Sequence, residues 1–453
     1  SDLIFSVSNI VAHGVPYLVL ITWYVIKKKD LLRQVSLRYW IWSRWILWIV
    51  GGSLLLAFFE EYGWDLFLNG ETSNAEVCQR FNVSLPTSMA LLNQLIEEGI
   101  VIKKGRGKSE GGRKPDLYGL IENSFFVVSI HIERFRIKLA IIDNNHTILH
   151  EKSWPSEISS DSNIVDLLFE WTQELLKEAK VKLDQVMGVG ISMPGLVSAE
   201  AGKNFTYYLS EQEPESLKLK FEKKFKKPVA ILNDAKSACL AEFRFGTAKN
   251  KNNVLVISMD WGIGLGIIMG GRMHSGESGF AGEFGHIPMT EDGLLCHCGK
   301  RGCLETEASG LALVRKTKEG LKAGQTSVLN NLKKEELEKL EPETIIDAAN
   351  RGDQFAINVL SEIGIKLGKG IAILIQIFNP ELVILEGKIA EAKQFITTPI
   401  QQSMNTYCMM QLKERTKIEL STLGANSSLY GGTIAVMDDI FKDQVSLVKS
   451  HIS

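Results

Sequence analysis

Val254-Leu255-Val256-Ile257-Ser258-Met259-Asp260-Trp261-Gly262-Ile263-Gly264-Leu265-Gly266 is an apolar run of strand length that passes into alternating glycines. Such glycines permit a tight turn with exposed backbone N–H groups, suited to an anion, or an ordinary hairpin, and the spacing leaves both open. The segments around it repeat the theme. Phe125–Ile130, Ile137–Ile142, Val186–Ser192, Val229–Leu232 and Leu382–Leu385 read as strands, and Asn163–Lys180 as an amphipathic helix. Strands alternating with helices over about 330 residues predict an α/β body, and that length predicts two lobes with a cleft.

Downstream stands Cys296-His297-Cys298-Gly299-Lys300-Arg301-Gly302-Cys303, with His286 ten residues before it. Three cysteines with turn-making glycines have metal-ligand spacing. His286, Cys296, Cys298 and Cys303 would make a closed Cys3His zinc set, which predicts a structural metal. A redox pair is the competing reading, and His297 an alternative ligand. Polar residues fall at expected element ends nearby: Asn233-Asp234, Gly282-Glu283-Phe284-Gly285-His286, and Glu305. Carboxylates and an amide meeting in one cleft suit the paired hydroxyls of a sugar, although each alone suits a cap or a surface acid.

The whole chain has 453 residues, room for about three domains. Its 51 Lys+Arg balance 53 Asp+Glu, so any affinity for nucleic acid needs a local basic patch. With 45% hydrophobic and 23% charged residues it is neither disordered nor collagen-like, and six cysteines are too few for a disulfide scaffold. One local patch exists. Thr72-Ser73-Asn74-Ala75-Glu76 caps a short helix over 75–81; Asn82-Val83-Ser84 turns; a second helix begins with Pro86 in its first turn and stops at Gly99. A strand over 100–102 leads into a glycine-rich stretch. Lys103, Lys104, Arg106, Lys108, Arg113 and Lys114 there face only Glu110. Helix, turn, helix, strand and basic wing in this order predict a winged helix-turn-helix DNA reader. Thr87 and Ser88, at the start of the second helix, and Asn93 are the candidates for base contact, and the wing cations for phosphate. Its first helix should fall near Leu54 to Leu68, made irregular by Gly63.

The N-terminus differs in composition. Six of nine tryptophans lie in the first 64 residues, and Leu3 to Ile26 is apolar enough to cross a bilayer. Arg44 interrupts the second apolar stretch, Tyr39 to Phe59. Lys27, Lys28, Lys29, Arg33 and Arg38 between the two predict a cytoplasmic loop, and two full crossings would then put the thiolate-bearing remainder outside the cell. One crossing with an interfacial second segment, a foreign or misjoined N-terminus, and a buried helix pair remain as readings of residues 1–59. No basic region precedes the first apolar run, as a cleavable signal peptide requires.

From about residue 72 to 440 the order of these motifs resembles the ROK family of repressors, open reading frames and kinases of sugars. The residues that carry it are Gly262 to Gly266, then Gly276, Gly282, Gly285 and His286, the cysteine motif through Glu305, Asn233-Asp234-Ala235, Ser192-Met193-Pro194-Gly195, and Gly111-Gly112-Arg113-Lys114-Pro115. The resemblance implies a two-lobed actin/hexokinase-like (ribonuclease H-like) body behind a winged helix-turn-helix. It divides the chain into 60–120 for the DNA reader, 121–232 for the first lobe and 233–453 for the second, with the C-terminal helix returning to the first lobe. It further implies that Asn233, Asp234, Glu283, His286 and Glu305 hold a sugar, Asp234 matching the general base of the kinases.

The phosphate side departs from the family. Where kinases carry Asp-x-Gly-Gly-Thr, this chain has His131-Ile132-Glu133-Arg134-Phe135; Trp261 replaces a threonine; Glu386-Gly387-Lys388 replaces a glycine run. Losing three nucleotide contacts together predicts a non-kinase that kept its sugar pocket. The reading is a sugar-responsive regulator, a repressor, cytoplasmic apart from any membrane association through residues 3–59. Its expected partners are operator DNA, a sugar effector and a second copy in a dimer or tetramer. A ROK sugar kinase and a membrane-tethered sensor are the alternatives.

Overall fold

The computed structural model describes residues 70–452 apart from 82–83, 98, 100, 108–113, 157–162 and 208–214. The apolar segment 1–59 and the expected helix near Leu54 to Leu68 lie outside the described residues. Among the described residues no helix is long and apolar enough to cross a membrane.

The chain forms two compact units, 1–124 with 441–453, and 125–440. In the first unit, β1 (Thr72–Ser73) leads into α1 (Asn74–Phe81), followed by α2 (Leu85–Glu97), β2 (Val101–Arg106) and β3 (Asp116–Leu120). Ser73 and Glu76 make a reciprocal capping box: the Ser73 N–H donates to Glu76 Oε2 at 2.7 Å and the Glu76 N–H to Ser73 Oγ at 3.3 Å. Strands β2 and β3 pair antiparallel, with β1 on the far side of β3. Val77, Leu92, Leu95, Val101, Tyr118 and Leu120 form the buried core.

The second unit holds two five-stranded sheets that follow one path twice. In the first, β4 (Phe126–Ile132), β5 (Arg136–Asp143) and β6 (Ile148–Pro155) form an antiparallel meander, and β7 (Val186–Met193) and β10 (Val229–Asn233) add in parallel beyond β4. In the second, β11 (Val254–Met259), β12 (Ile263–Met269) and β13 (Arg272–Met273) form the meander, and β14 (Leu382–Glu386) and β15 (Lys417–Leu420) add in parallel beyond β11. A small ladder, β8 (Val197–Ser198) with β9 (Lys203–Asn204), sits after β7. The central strands are buried on both faces, which is why β4 and β14 read as continuous apolar runs rather than alternations.

Helices complete each lobe. α3 (Ile164–Ala179) turns Leu168, Thr172, Leu175 and Leu176 inward, and α4 (Leu217–Phe225) adds Phe221 and Phe225 to that core. α5 (Asp234–Arg244) follows β10 without a break. α6 (Leu304–Ala308), α7 (Gly310–Lys322), α8 (Pro342–Asn350), α9 (Gln354–Phe378) and α10 (Gln394–Tyr407) supply the second core, where Ile363, Leu367, Ile371, Leu374 and Ile375 make the inner stripe of α9. The start of α11 (Ser427–Ile452) lies against the first lobe. Ser129 Oγ donates to the Leu429 carbonyl at 2.6 Å and Ser192 Oγ to the Ser428 carbonyl at 2.8 Å.

The glycine alternation is a hairpin: Met259 pairs with Ile263, and the glycines of β12 face α5. A Cβ on Gly264 would lie 2.4 Å from Ala235 Cβ, and one on Gly266 only 2.1 Å from Cys239 Cβ. Bare backbone there lets the helix that starts at Asp234 lie flat on the sheet. Gly266→Ala is expected to cost about 1–3 kcal/mol through overpacking, read as a lowered thermal midpoint; an unchanged midpoint would show that α5 can back away.

Candidate functional site

β10 ends at Asn233, which caps α5: its Oδ1 accepts from the Lys236 N–H at 3.2 Å and its Nδ2 donates to the Gly195 carbonyl at 3.1 Å. The amide is therefore both cap and pocket wall. Asp234 follows in the first turn, its Oδ1 accepting from the Ala235 N–H at 2.8 Å. Burial pushes the Asp234 carboxyl up to about 6, and the neighbouring Glu305 and Glu133 add to the rise.

Both residues open onto a pocket of about 120 Å³, which Glu283, His286 and Glu305 also line. Glu305 is buried and its Oε2 accepts from the Ile263 N–H at 2.9 Å. Gly262 makes room for it, since a Cβ there would lie 2.6 Å from Glu305 Oε2. Glu283 Oε2 lies 3.9 Å from His286 Nε2. The five residues singled out from the sequence thus meet in one pocket, with Tyr207 and Lys236 as further walls that the sequence did not mark. Lys236 donates to the Gly279 carbonyl.

Behind one wall lies the cysteine cluster. Single ligand atoms of His286, Cys296, Cys298 and Cys303 all fall within 4.8 Å of one another. Cys296 Sγ is 3.5 Å from His286 Nδ1, and Cys298 Sγ 3.6 Å from Cys303 Sγ. Those are edge lengths of a tetrahedron with metal–sulfur bonds near ~2.3 Å and metal–nitrogen bonds near ~2.0 Å, so the donor set fits a metal ion. His286 would bind through Nδ1 and keep Nε2 for the pocket, which reconciles its two expected roles. His297 turns its Nδ1 to Glu305 Oε1 at 3.4 Å and belongs with His286 and Glu305 to a second grouping.

The three stretches that depart from the kinase pattern in sequence converge. Lys388 Nζ lies 2.6 Å from Glu133 Oε2, 3.4 Å from Glu343 Oε1 and 3.6 Å from Asp260 Oδ1, and 5.5 Å from the centroid of the Trp261 ring. Phe135 packs edge-on against Trp261 at 4.7 Å. Burial works against the charge on Lys388, but Asp260 and Glu133 outweigh it and raise its pKa. Burial also lowers the His131 imidazole to about 4, so it brings no charge to the cleft. The sequence marked Glu133 and Lys388 as separate departures, and nothing in their local sequence announced that they pair across 255 residues.

In the first unit Thr87 and Asn93 are exposed on α2. Ser88 is not. It is fully buried and its hydroxyl donates to Asn74 Oδ1, joining α2 to α1. Ser88, Leu92 and Leu95 follow helical spacing on one buried face, so Ser88 belongs to the core and is withdrawn as a base contact. Lys103, Lys104, Arg106 and Lys114 are exposed, while Lys108 and Arg113 lie outside the described residues. Asp116 holds Lys103 at 2.7 Å and Arg106 at 3.8 Å, exposed pairs that phosphates can displace.

Comparison with known proteins decides the family. The ROK family model matches residues 127–439. The chain belongs to the ROK family. The xylose repressor of Bacillus subtilis is 29% identical over 84% of this chain and 95% of its own length. The transcriptional dual regulator NagC of Escherichia coli is 28% identical over 80% and 87%. Among solved structures, a ROK family transcriptional regulator homologous to the E. coli MLC protein covers 83% of this chain and 94% of its own, with 25% identity and a TM-score of 0.67. A ROK glucokinase from Streptomyces griseus, in complex with glucose and AMPPNP, covers 68% and 99%, with 29% identity and a TM-score of 0.61. The regulator likeness extends beyond the family body into the first unit; the kinase likeness covers less of this chain.

Proposed function

We propose that this ROK protein is a sugar-responsive transcriptional regulator, a repressor, without kinase activity. The observation that carries the reading is the split state of the cleft. Its sugar half keeps Asn233, Asp234, Glu283, His286 and Glu305 around one pocket, while the positions of its phosphate loops are filled by the ion cluster of Glu133, Asp260 and Lys388. Phosphoryl transfer depends on positioning and charge neutralisation, and Glu133 stands where phosphates need bare backbone. Helices α1 and α2 with the β2–β3 hairpin act as a winged helix-turn-helix: Thr87 and Asn93 face base edges, and Lys103, Lys104, Arg106, Lys108, Arg113 and Lys114 meet phosphates. The chain works as a dimer or tetramer on operator DNA in the cytoplasm, and zinc fills the Cys3His site as a structural metal. The names of the repressor relatives support this reading, as does the coverage of the regulator structure.

Sugar binding would shift lobe closure and with it the spacing of two DNA readers; a coupling of about 1–3 kcal/mol suffices for a 5- to 150-fold change in DNA affinity. The test is selection from random duplexes at one fixed salt concentration, with and without a sugar panel. Enrichment of one sequence that a particular sugar releases is the expected result; no enrichment overturns the regulator reading. Glu283→Ala is expected to bind the selected duplex as before and to lose the sugar response. A surviving response would remove Glu283 from the pocket machinery.

A further inference from the structure

We infer that the effector of this cleft is an uncharged sugar, and that sugar phosphates are excluded by the ion cluster that stands in the nucleotide half. The inference rests on the sugar-pocket reading above and narrows its ligand class.

The charge around the pocket decides it. Five carboxylates line the cleft, from Glu133, Asp234, Asp260, Glu283 and Glu305, against the cations Arg134 and Lys236. Lys388 would draw a phosphate only if its charge were free. It already meets Glu133, Glu343 and Asp260 within 3.6 Å, so each carboxylate has a third of a cation. Asp260 Oδ1 and Glu343 Oε2 are buried without a hydrogen-bond donor, which leaves negative charge unspent rather than positive. Burial, with the push of Glu133 and Asp234, raises the Asp260 carboxyl to about 7 against the pull of Lys388, so its negative charge is held only in part at neutral pH and becomes full above it. Lys236 is spoken for by the Gly279 carbonyl.

A dianionic phosphate on the sugar hydroxyl that faces Asp234 would enter between Asp234, Asp260 and Glu133. Like charges at such distances in a partly desolvated cleft oppose binding strongly. A neutral hydroxyl at the same place finds acceptors on every side. The cluster therefore selects by charge as well as by closing the triphosphate path.

Calorimetric titration of the full chain tests this with matched pairs at one ionic strength: D-glucose and glucose 6-phosphate, N-acetylglucosamine and its 6-phosphate, D-mannose and mannose 6-phosphate, with D-xylose added as a further neutral sugar. At least one neutral sugar is expected to bind, and its phosphate at least about tenfold more weakly. At pH 8, where the Asp260 carboxyl is mostly ionised, Asp260→Asn removes a negative charge and is expected to narrow that gap about threefold. Lys388→Met should widen it. Circular dichroism checks that both fold, and the Asp260 variant suffices if the other does not. A purely structural role would move both members of a pair alike and overturn the charge argument. Tighter binding of a phosphate than of its parent sugar overturns the inference alone. Binding of neither form in any pair overturns the sugar-pocket reading, and the inference falls with it.

Discussion

With zinc in the Cys3His site as proposed, Cys298→Ser is expected to strip that metal and, through it, to loosen the pocket wall. A closed tetrahedral site loses its charge balance and one of four bonds when a thiolate becomes a hydroxyl. In zinc-finger peptides a structural zinc contributes about 10–16 kcal/mol at neutral pH, so even a fraction of that is large beside the stability of a domain. The link to function is short. Cys303 lies two residues before Glu305, and His286 supplies one donor to the cluster while its other nitrogen faces Glu283. The Leu304 N–H also donates to the Ile287 carbonyl at 3.0 Å, so both strings of the knot are tied beside the pocket. Metal analysis of the purified chain should fall from about one ion to near none, with sugar binding weakened and the first lobe still folded. A variant that keeps its full metal content would show that Cys298, the exposed cysteine of the set, is not a ligand.

The second large effect is at Asp234, where function and stability pull in opposite directions. Its carboxyl titrates at about 6 in the folded chain against an ordinary 3.8, burial being the main cause. Between those two values the folded chain binds the proton and the unfolded chain releases it, so stability falls as pH rises through that window. The full shift corresponds to at most about 3 kcal/mol, and a carboxylate that opens onto a pocket keeps some water, so about 1–2 kcal/mol is expected. Asp234→Asn should therefore melt higher than the parent at pH 8, and the gain should vanish near pH 4. The same variant should bind sugar poorly, because the amide replaces an acceptor-only group with one that also donates. For the parent protein, sugar affinity should drop as pH falls below about 6, as protonation removes that acceptor. Equal melting of the two proteins at every pH would show that the Asp234 carboxylate carries no desolvation strain.

Much of the site was legible because its signals are local. The spacing of Cys296, Cys298 and Cys303 fixes a loop that can hold one ion, and the Ser73–Glu76 box and the limits of α3 follow from capping and helical period within a few residues. Likewise, Asn233 and Asp234 stand at a strand–helix junction that the apolar run before them announces. Other features needed atoms brought together from far apart. The glycines of β12 looked equally like an anion cradle until α5 was seen lying on them. Ser88 looked exposed at a helix start until its face met Asn74 of α1. Glu133 and Lys388 are 255 residues apart, and nothing in either loop says that the other lies 2.6 Å away. Sequence by itself determined the family, the element order and the spacing of the Cys3His cluster, since each depends on residue identity and short-range geometry. Only the tertiary structure decided which faces are buried and which charges neutralise one another, because pairing across a cleft is set by how two sheets and their helices pack, not by spacing along the chain.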